Sequence, residues 1–153
     1  MNEDGVISLL RDYGFETIYL EDLKFEDQVL VSMNAKYLVS NHGAGLTNML
    51  FMNAGSSVLE LRKERDARSN CFFSLASAVD LNYFYLTCRS YDETEDAHTA
   101  DLIVDFKKLR ETVELMLLHE DDHSPRPVST QSGSKVEAYT RGMARVPNDN
   151  FNG

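Results

Sequence analysis

The alternation of apolar and polar positions predicts helices and strands in turn along residues 3–118. Val6, Leu9, Leu10 and Tyr13 recur at helical spacing, and Gly14 is typical of the residue that ends a helix. Short apolar runs rich in β-branched and aromatic residues predict strands at 16–20, 36–40, 57–61, 83–87 and 102–104. Helical spacing predicts helices between them, at 25–33, 46–52, 71–79 and 106–116, the last with Asp105 as N-cap. Such alternation predicts an α/β fold, a Rossmann-like three-layer arrangement around a parallel sheet of four or five strands.

The last part of the chain has a different composition. Residues 119–153 contain no Leu or Ile but all three prolines, Pro125, Pro127 and Pro147. A segment with so few apolar residues cannot offset the entropy lost on ordering. The sequence therefore predicts one domain at 3–118 and a disordered C-terminal tail at 119–153.

Charge and cysteine content limit the classes of function. The formal net charge is −10, which argues against nucleic acid or an anionic membrane surface as the main partner. The N-terminus is acidic where a signal peptide would be basic, and no apolar run reaches the roughly 20 residues of a membrane span. Cys71 and Cys88 have no metal-ligand or redox spacing, so we expect reduced thiols. These features predict a soluble, cytoplasmic protein.

The segment from Tyr37 to Asn48, YLVSNHGAGLTN, carries the clearest chemical signal. An apolar strand ends in a glycine loop, and a helix follows it. Gly43 and Gly45 permit unusual φ values and close approach of a ligand to the backbone. The N–H groups of the helix's first turn, at Leu46, Thr47 and Asn48, would then be donors for a phosphate. A tight turn without any ligand has the same pattern.

The spacing G-x-G-x-x-N also half-matches a dinucleotide fingerprint. Glu60 ends the next predicted strand, where a carboxylate can bind a ribose hydroxyl. Asn48 replaces the third glycine, however, and a βα pair precedes the loop. An NAD-dependent oxidoreductase is therefore an alternative with less support than other nucleotide ligands.

Further segments accompany the glycine loop: FEDQ at 25–28, the segment 35–39, HGAGLTN at 42–48, Phe51 and VLEL at 58–61. In this combination the sequence resembles the family 61 glycosyltransferases. It covers roughly residues 15–118. It implies the C-terminal, donor-binding half of a two-domain GT-B enzyme, which binds a nucleotide sugar and inverts the anomeric centre without a cofactor or bound metal.

Site residues follow from this resemblance together with the glycine loop. The predicted substrate-binding residues are His42, Gly43, Ala44, Gly45, Leu46, Thr47, Asn48 and Glu60. His42 is the predicted catalytic residue, as a donor to the leaving diphosphate or the transferred sugar. A structural hydrogen bond of His42 is the alternative interpretation. No residue is identified as the base that takes the proton from the acceptor hydroxyl.

Other patterns have simpler interpretations. HEDDH at 119–123 has the H-E-x-x-H spacing of zinc proteases, but Ser124-Pro125 would end the helix it requires, so no metal site is predicted. Arg62, Lys63, Arg65 and Arg68 form a basic cluster interleaved with acidic residues, which favours a self-paired surface loop. The aromatic residues at 72, 73 and 83–85 are interpreted mainly as core, with one able to stack on a nucleobase.

The leading hypothesis is a glycosyltransferase domain that transfers a sugar from a nucleotide-linked donor, UDP-linked by expectation, to a glycan or protein hydroxyl. The acceptor half of such an enzyme has no counterpart in these residues, so a partner domain or chain would supply it. If the chain is a piece of a eukaryotic enzyme, the expected compartment is the ER or Golgi lumen. A noncatalytic nucleotide-binding module is the main alternative.

Overall fold

The computed structural model describes residues 2–64, 70–92, 100–123, 136–139 and 142–145, with the backbone alone described for 120–123 and the last two segments. The helices are α1 (Glu3–Asp12), α2 (Phe25–Asn34), α3 (Cys71–Ala78) and α4 (Phe106–His123), with 3₁₀ helices at Leu20–Asp22 and Ala44–Phe51. The strands are β1 (Glu16–Ile18), β2 (Ala35–Asn41), β3 (Ser57–Lys63), β4 (Asn82–Ser90), β5 (Leu102–Ile103), β6 (Val136–Tyr139) and β7 (Gly142–Arg145).

Local sequence signals account for the ends of several elements. Gly14 lies just beyond α1 with φ 81°, the left-handed conformation that glycine adopts without a steric penalty. Asp105 precedes α4, and its Oδ1 accepts from the N–H groups of Lys107 and Lys108 at 2.9 and 3.2 Å. The helix C-cap predicted at Gly14 and the N-cap predicted at Asp105 are therefore both confirmed.

The described strands form one mixed sheet in the order β1-β7-β6-β2-β3-β4-β5. Its centre is parallel: β2 pairs with β3, and β3 pairs with β4 through seven residues from Ser57↔Asn82 to Lys63↔Cys88. Towards the edges the sheet becomes antiparallel, because β5 runs against β4 and β7 runs against β1, β2 and β6. The predicted parallel sheet is thus correct for the centre, where β6 also runs parallel to β2, and wrong for β5 and β7. The direction of such strands depends on which segments meet, and this is not encoded in their local pattern.

The tail differs from the predicted disorder wherever it is described. Helix α4 continues beyond Leu118 to His123, and β6 and β7 pair with β2 and β1. Backbone pairing between neighbouring strands does not require the apolar side chains whose absence motivated the prediction. The rest of 119–153 lies outside the described residues.

Helices cover both faces of the sheet and create two cores. On one face, α1 and α4 pack over alternate residues of β2 to β4, in a cluster that includes Leu59, Leu61 and Leu86. On the other face, α3 and the 3₁₀ helix Ala44–Phe51 pack over Leu38 and Val58. This confirms an α/β fold with a helical layer on each side, while its assignment as half of a GT-B fold stays a prediction.

Candidate functional site

The glycine loop begins where β2 ends, at the carboxyl edge of the parallel strands. His42 and Gly43 follow Asn41 directly, and the 3₁₀ helix starts at Ala44. The backbone N–H of His42 donates to the carbonyl oxygen of Leu61 at 2.9 Å, which holds the start of the loop against β3. In open α/β sheets, ligands bind outside the carboxyl ends of the strands, so the loop lies where a ligand would.

The glycines of the loop have ordinary backbone conformations. Gly43 has φ 167°, an extended value open to any residue, and positive φ among described glycines occurs at Gly14 and Gly55. The prediction that Gly43 and Gly45 supply unusual φ values is therefore wrong. A Cβ placed on Gly43 would meet no atom of the described structure within 4 Å. The missing side chain instead leaves open space beside the loop backbone.

The available donors lie earlier in the loop than predicted. The N–H of Leu46 already donates to the Gly43 carbonyl at 3.0 Å, and the i→i+3 pattern engages those of Thr47 and Asn48 as well. Within the described part of the chain, the N–H groups of Ala44 and Gly45 have no carbonyl partner. These two N–H groups are the natural donors for a ligand at the helix start.

The side chains of Thr47 and Asn48 bond back to the loop. Thr47 Oγ1 donates to the Ala44 carbonyl at 2.6 Å, and Asn48 Nδ2 lies 3.3 Å from the Gly45 carbonyl. Their predicted role as direct phosphate donors stays a prediction. In this conformation they stabilise the first turn of the 3₁₀ helix.

His42 is the centre of a buried polar network. Its Nδ1 bonds to Oε1 of Glu60, and its ring packs edge-on against Phe72 with centroids 5.1 Å apart. The His42 side chain is only 3 % exposed and that of Glu60 only 1 %. Because an ionised carboxylate accepts hydrogen bonds, this contact fixes the ring orientation and favours hydrogen on Nδ1.

Two further side chains complete the network around Glu60. The Tyr83 hydroxyl donates to Oε2 of Glu60, and Nε of Arg62 lies 3.7 Å from Oε1. Burial and the hydrogen bond to Glu60 raise the pKa of Tyr83 far above its usual value of 10, so it stays a neutral donor. A ribose hydroxyl could bind Glu60 only by displacing one of the side chains that now contact its carboxylate. The predicted contact between Glu60 and a ribose stays a prediction.

The sequence interpretation missed Tyr83 and Arg62 as members of this network. Tyr83 was assigned to the core and Arg62 to a surface loop, whereas Arg62 is 9 % exposed and lies within β3. Lys63 is also buried and donates to the Asp92 carbonyl at 3.0 Å. The alternation of Val58, Glu60 and Arg62 along one strand was the available signal, because it places these side chains on one face. The cluster's other members, at 65 and 68, lie outside the described residues.

Two upstream residues of the family pattern have structural partners. Gln28 Nε2 donates to the Leu20 and Leu23 carbonyls at 2.8 and 3.2 Å, which ties α2 to the preceding turn. Phe25 and Phe51 pack edge-on with ring centroids 5.9 Å apart. These contacts position α2 against the 3₁₀ helix that follows the glycine loop.

Other classes of site find little support among the described residues. They contain no group of three His, Cys, Asp or Glu side chains suited to hold a metal ion. His119, the first histidine of the H-E-x-x-H pattern, packs its ring on Phe84 with centroids 5.9 Å apart. None of the helices described combines the length and apolar character needed to cross a bilayer.

The two cysteines should differ strongly in reactivity. Cys71 is exposed, whereas Cys88 is 1 % exposed, and burial together with the Glu64 charge raises the pKa of its thiol to about 12. Since the thiolate is the reactive form, we expect Cys71 to react rapidly with a disulfide reagent at pH 8 and Cys88 to react only after unfolding. Mass spectrometry of the labelled chain identifies the site, and rapid labelling of Cys88 in the folded protein would contradict the structure.

Comparison with known proteins gives the site a family context. The sequence model for glycosyltransferase 61 matches residues 1–59, a segment that contains the whole glycine loop. The EGF domain-specific O-linked N-acetylglucosamine transferase of Drosophila melanogaster is 31% identical over 86 residues, and its counterpart in Gallus gallus is 33% identical over 88 residues. Each alignment covers 54% of this chain but only 16% of the relative, so the chain spans about a sixth of these proteins. By these matches, residues 1–59 of the chain are similar to the glycosyltransferase 61 family.

Proposed function

We propose that this chain binds the nucleotide-sugar donor of a glycosyltransferase, and that the glycine loop holds the donor diphosphate. The observation that carries the proposal is the open space beside Gly43, next to the N–H groups of Ala44 and Gly45. A diphosphate oxygen in that space would accept from backbone donors at the start of a helix. The similarity of residues 1–59 to the glycosyltransferase 61 family supports a nucleotide sugar as the ligand.

Such a loop would assist the leaving group during transfer. Breaking the sugar–phosphate bond leaves negative charge on the diphosphate, and preorganised N–H donors stabilise charge that develops there. His42 lies next to these donors and is oriented by Glu60. We propose that His42 holds the loop in place and contacts the leaving diphosphate or the transferred sugar, without a bound metal.

The remaining parts of the reaction are assigned to a second half of the enzyme. In this proposal a glycan or protein hydroxyl attacks C1 of the sugar in line with the departing UDP, with inversion, while a base takes its proton. The relatives are named for transfer of N-acetylglucosamine to EGF domains, which makes a protein hydroxyl a reasonable acceptor to test first. A partner domain or chain would present that acceptor and the base.

Gly43→Ala tests the proposed diphosphate site. Because φ at Gly43 suits any residue and a Cβ has room, we expect the free energy of unfolding to stay equal or rise by about 0.4–1 kcal/mol. The same Cβ would occupy the space assigned to phosphate, so we expect UDP affinity, measured by calorimetry, to fall about tenfold or more. Unchanged UDP affinity in a folded variant would exclude the loop as the diphosphate site.

Gly55→Ala is the matched control. Gly55 has φ 82°, so alanine there is strained and should cost about 1–2 kcal/mol of stability while leaving UDP affinity unchanged. Titration of the wild-type chain with UDP, UDP-sugars and NAD completes the test. Selective binding of NAD would overturn the transferase proposal in favour of an oxidoreductase.

A further inference from the structure

A pocket of about 380 Å³ lies beside the Glu60 network, along β3 and β4. Aromatic rings and polar groups share its lining, which includes Arg62, Asn70, Phe73, Tyr83, Tyr85 and Thr87. Tyr83 belongs to both the pocket and the network, because its hydroxyl bonds to Glu60. The pocket is therefore linked through Glu60 to His42 at the glycine loop.

The aromatic side of the pocket has the geometry of a stacking site. The rings of Tyr83 and Tyr85 are nearly parallel, with an interplanar angle of 28° and centroids 6.4 Å apart. Two rings that enclose a third need about 7 Å, twice the usual carbon contact distance of about 3.5 Å, so a small widening would admit a planar ring. Phe73 packs edge-on to Tyr83 with centroids 5.6 Å apart and forms a further wall.

The aromatic rings were expected in the core, but two of them are largely solvent-exposed. Tyr85 is 60 % exposed and Phe73 is 54 % exposed, although both lie over the central strands of the sheet. Exposed rings grouped around a pocket offer apolar area that a planar ligand can cover. This arrangement distinguishes the pocket from an ordinary core cluster.

The polar side of the pocket favours a nucleobase over an apolar ring. Arg62 Nη1 donates to Asn70 Oδ1 at 3.3 Å, so a guanidinium and an amide lie together at the rim. Base edges carry carbonyl and ring-nitrogen groups that pair with such donors and acceptors.

We propose that this pocket binds the nucleobase of the donor nucleotide, with the base stacked against Tyr85 and its edge facing Asn70. The proposal rests on the proposed function, since it assumes that the diphosphate occupies the glycine loop. Strands β2 and β4 are two strand spacings apart, about 10 Å, a separation that a ribose and diphosphate can bridge. The base would then lie over the first half of β4, where Tyr85 pairs with Glu60, and the phosphates would lie at the end of β2.

Tyr85→Ala tests the base site, and Tyr85→Phe is its control because it keeps the ring. Stacking of one base on an aromatic ring accounts for about 5- to 150-fold in affinity. We expect Tyr85→Ala to weaken UDP binding by that factor in calorimetry and to leave inorganic pyrophosphate binding unchanged. Tyr85→Phe should bind both as the wild type does, and so should Tyr19→Ala, an exposed tyrosine outside the pocket.

The outcomes separate this proposal from the proposed function. Equal UDP affinity in Tyr85→Ala and the wild type would overturn the base site, while a loss in Gly43→Ala would still support the diphosphate site. Equal losses of UDP and pyrophosphate binding in Tyr85→Ala would also overturn the base site. The tyrosine ring would then stabilise the glycine loop and would not stack on the base. Absence of UDP binding by the wild-type chain would overturn both proposals.

Discussion

Glu60→Ala is expected to lower the free energy of unfolding by about 3–5 kcal/mol, the cost of breaking a buried ion pair from one side. The Glu60 carboxylate is 1 % exposed and contacts His42 Nδ1, the Tyr83 hydroxyl and Arg62 Nε. Its removal takes from each of these three polar groups the contact it makes with Glu60, within a largely buried network. Urea denaturation monitored by circular dichroism measures this loss. The urea concentration at the midpoint of unfolding should fall, while the dependence of the free energy on urea concentration stays the same.

Glu111→Ala is the matched control for Glu60→Ala. Glu111 pairs with Lys107 at 3.8 Å on the surface of α4, where the two side chains are 61 % and 84 % exposed. An exposed pair contributes little, so we expect a loss below about 0.5 kcal/mol. Adding His42→Ala to Glu60→Ala should cost less than the sum of the single changes, because both remove the same contact. Equal effects of Glu60→Ala and Glu111→Ala would contradict the buried network.

Leu109→Ala is expected to cost about 2–5 kcal/mol, the range for truncating a fully buried leucine. Leu109 is 0 % exposed on α4 and belongs to the core that this helix forms over the sheet. The lost side chain leaves a cavity that neighbours on two packed layers cannot fill without moving. Thermal or urea denaturation measures the loss of stability. Before denaturation, the variant should still give the circular dichroism spectrum of the folded wild type.

Leu118→Ala on the same helix controls for helix propensity and residue type. Leu118 is 65 % exposed, so its truncation removes little buried area, and alanine is the better helix former. We expect a change within about 0.5 kcal/mol of the wild type. Equal losses of stability in Leu109→Ala and Leu118→Ala would contradict the packing of the Leu109 face of α4 on the sheet.

The elements of the fold were largely accessible from the sequence because their signals are local. The spacing of Leu109, Val113 and Met116 predicted the buried face of α4, and all three are 0 % exposed. Strand direction at the sheet edges was not accessible in this way. Strand direction depends on which distant segments pair, as β1 and β7 do. The sequence pattern of neither strand indicates its pairing partner.

The candidate site was predictable in position but not in its contacts. HGAG indicated the turn at the end of β2, and the structure places His42 and Gly43 there. The register of β3 and β4, and the face on which their side chains lie, determined that Tyr83 and Arg62 would meet Glu60. A single sequence fixes alternation within a strand but not the alignment of two strands. The side chains that contact Glu60 could therefore be identified only from the structure.

The 3₁₀ helix Ala44–Phe51 determines how the glycine loop can behave. Ser57, the first residue of β3, pairs with Tyr37, so the chain must run back along only four residues of β2, about 13 Å, before β3 begins. The eight residues of the 3₁₀ helix cover about 16 Å, against about 12 Å as an α-helix. The 3₁₀ helix alone therefore covers the return, while the backbone N–H of His42 holds the start of the loop to β3. Because the loop is held between β3 and this helix, we expect its backbone to move little when a ligand binds.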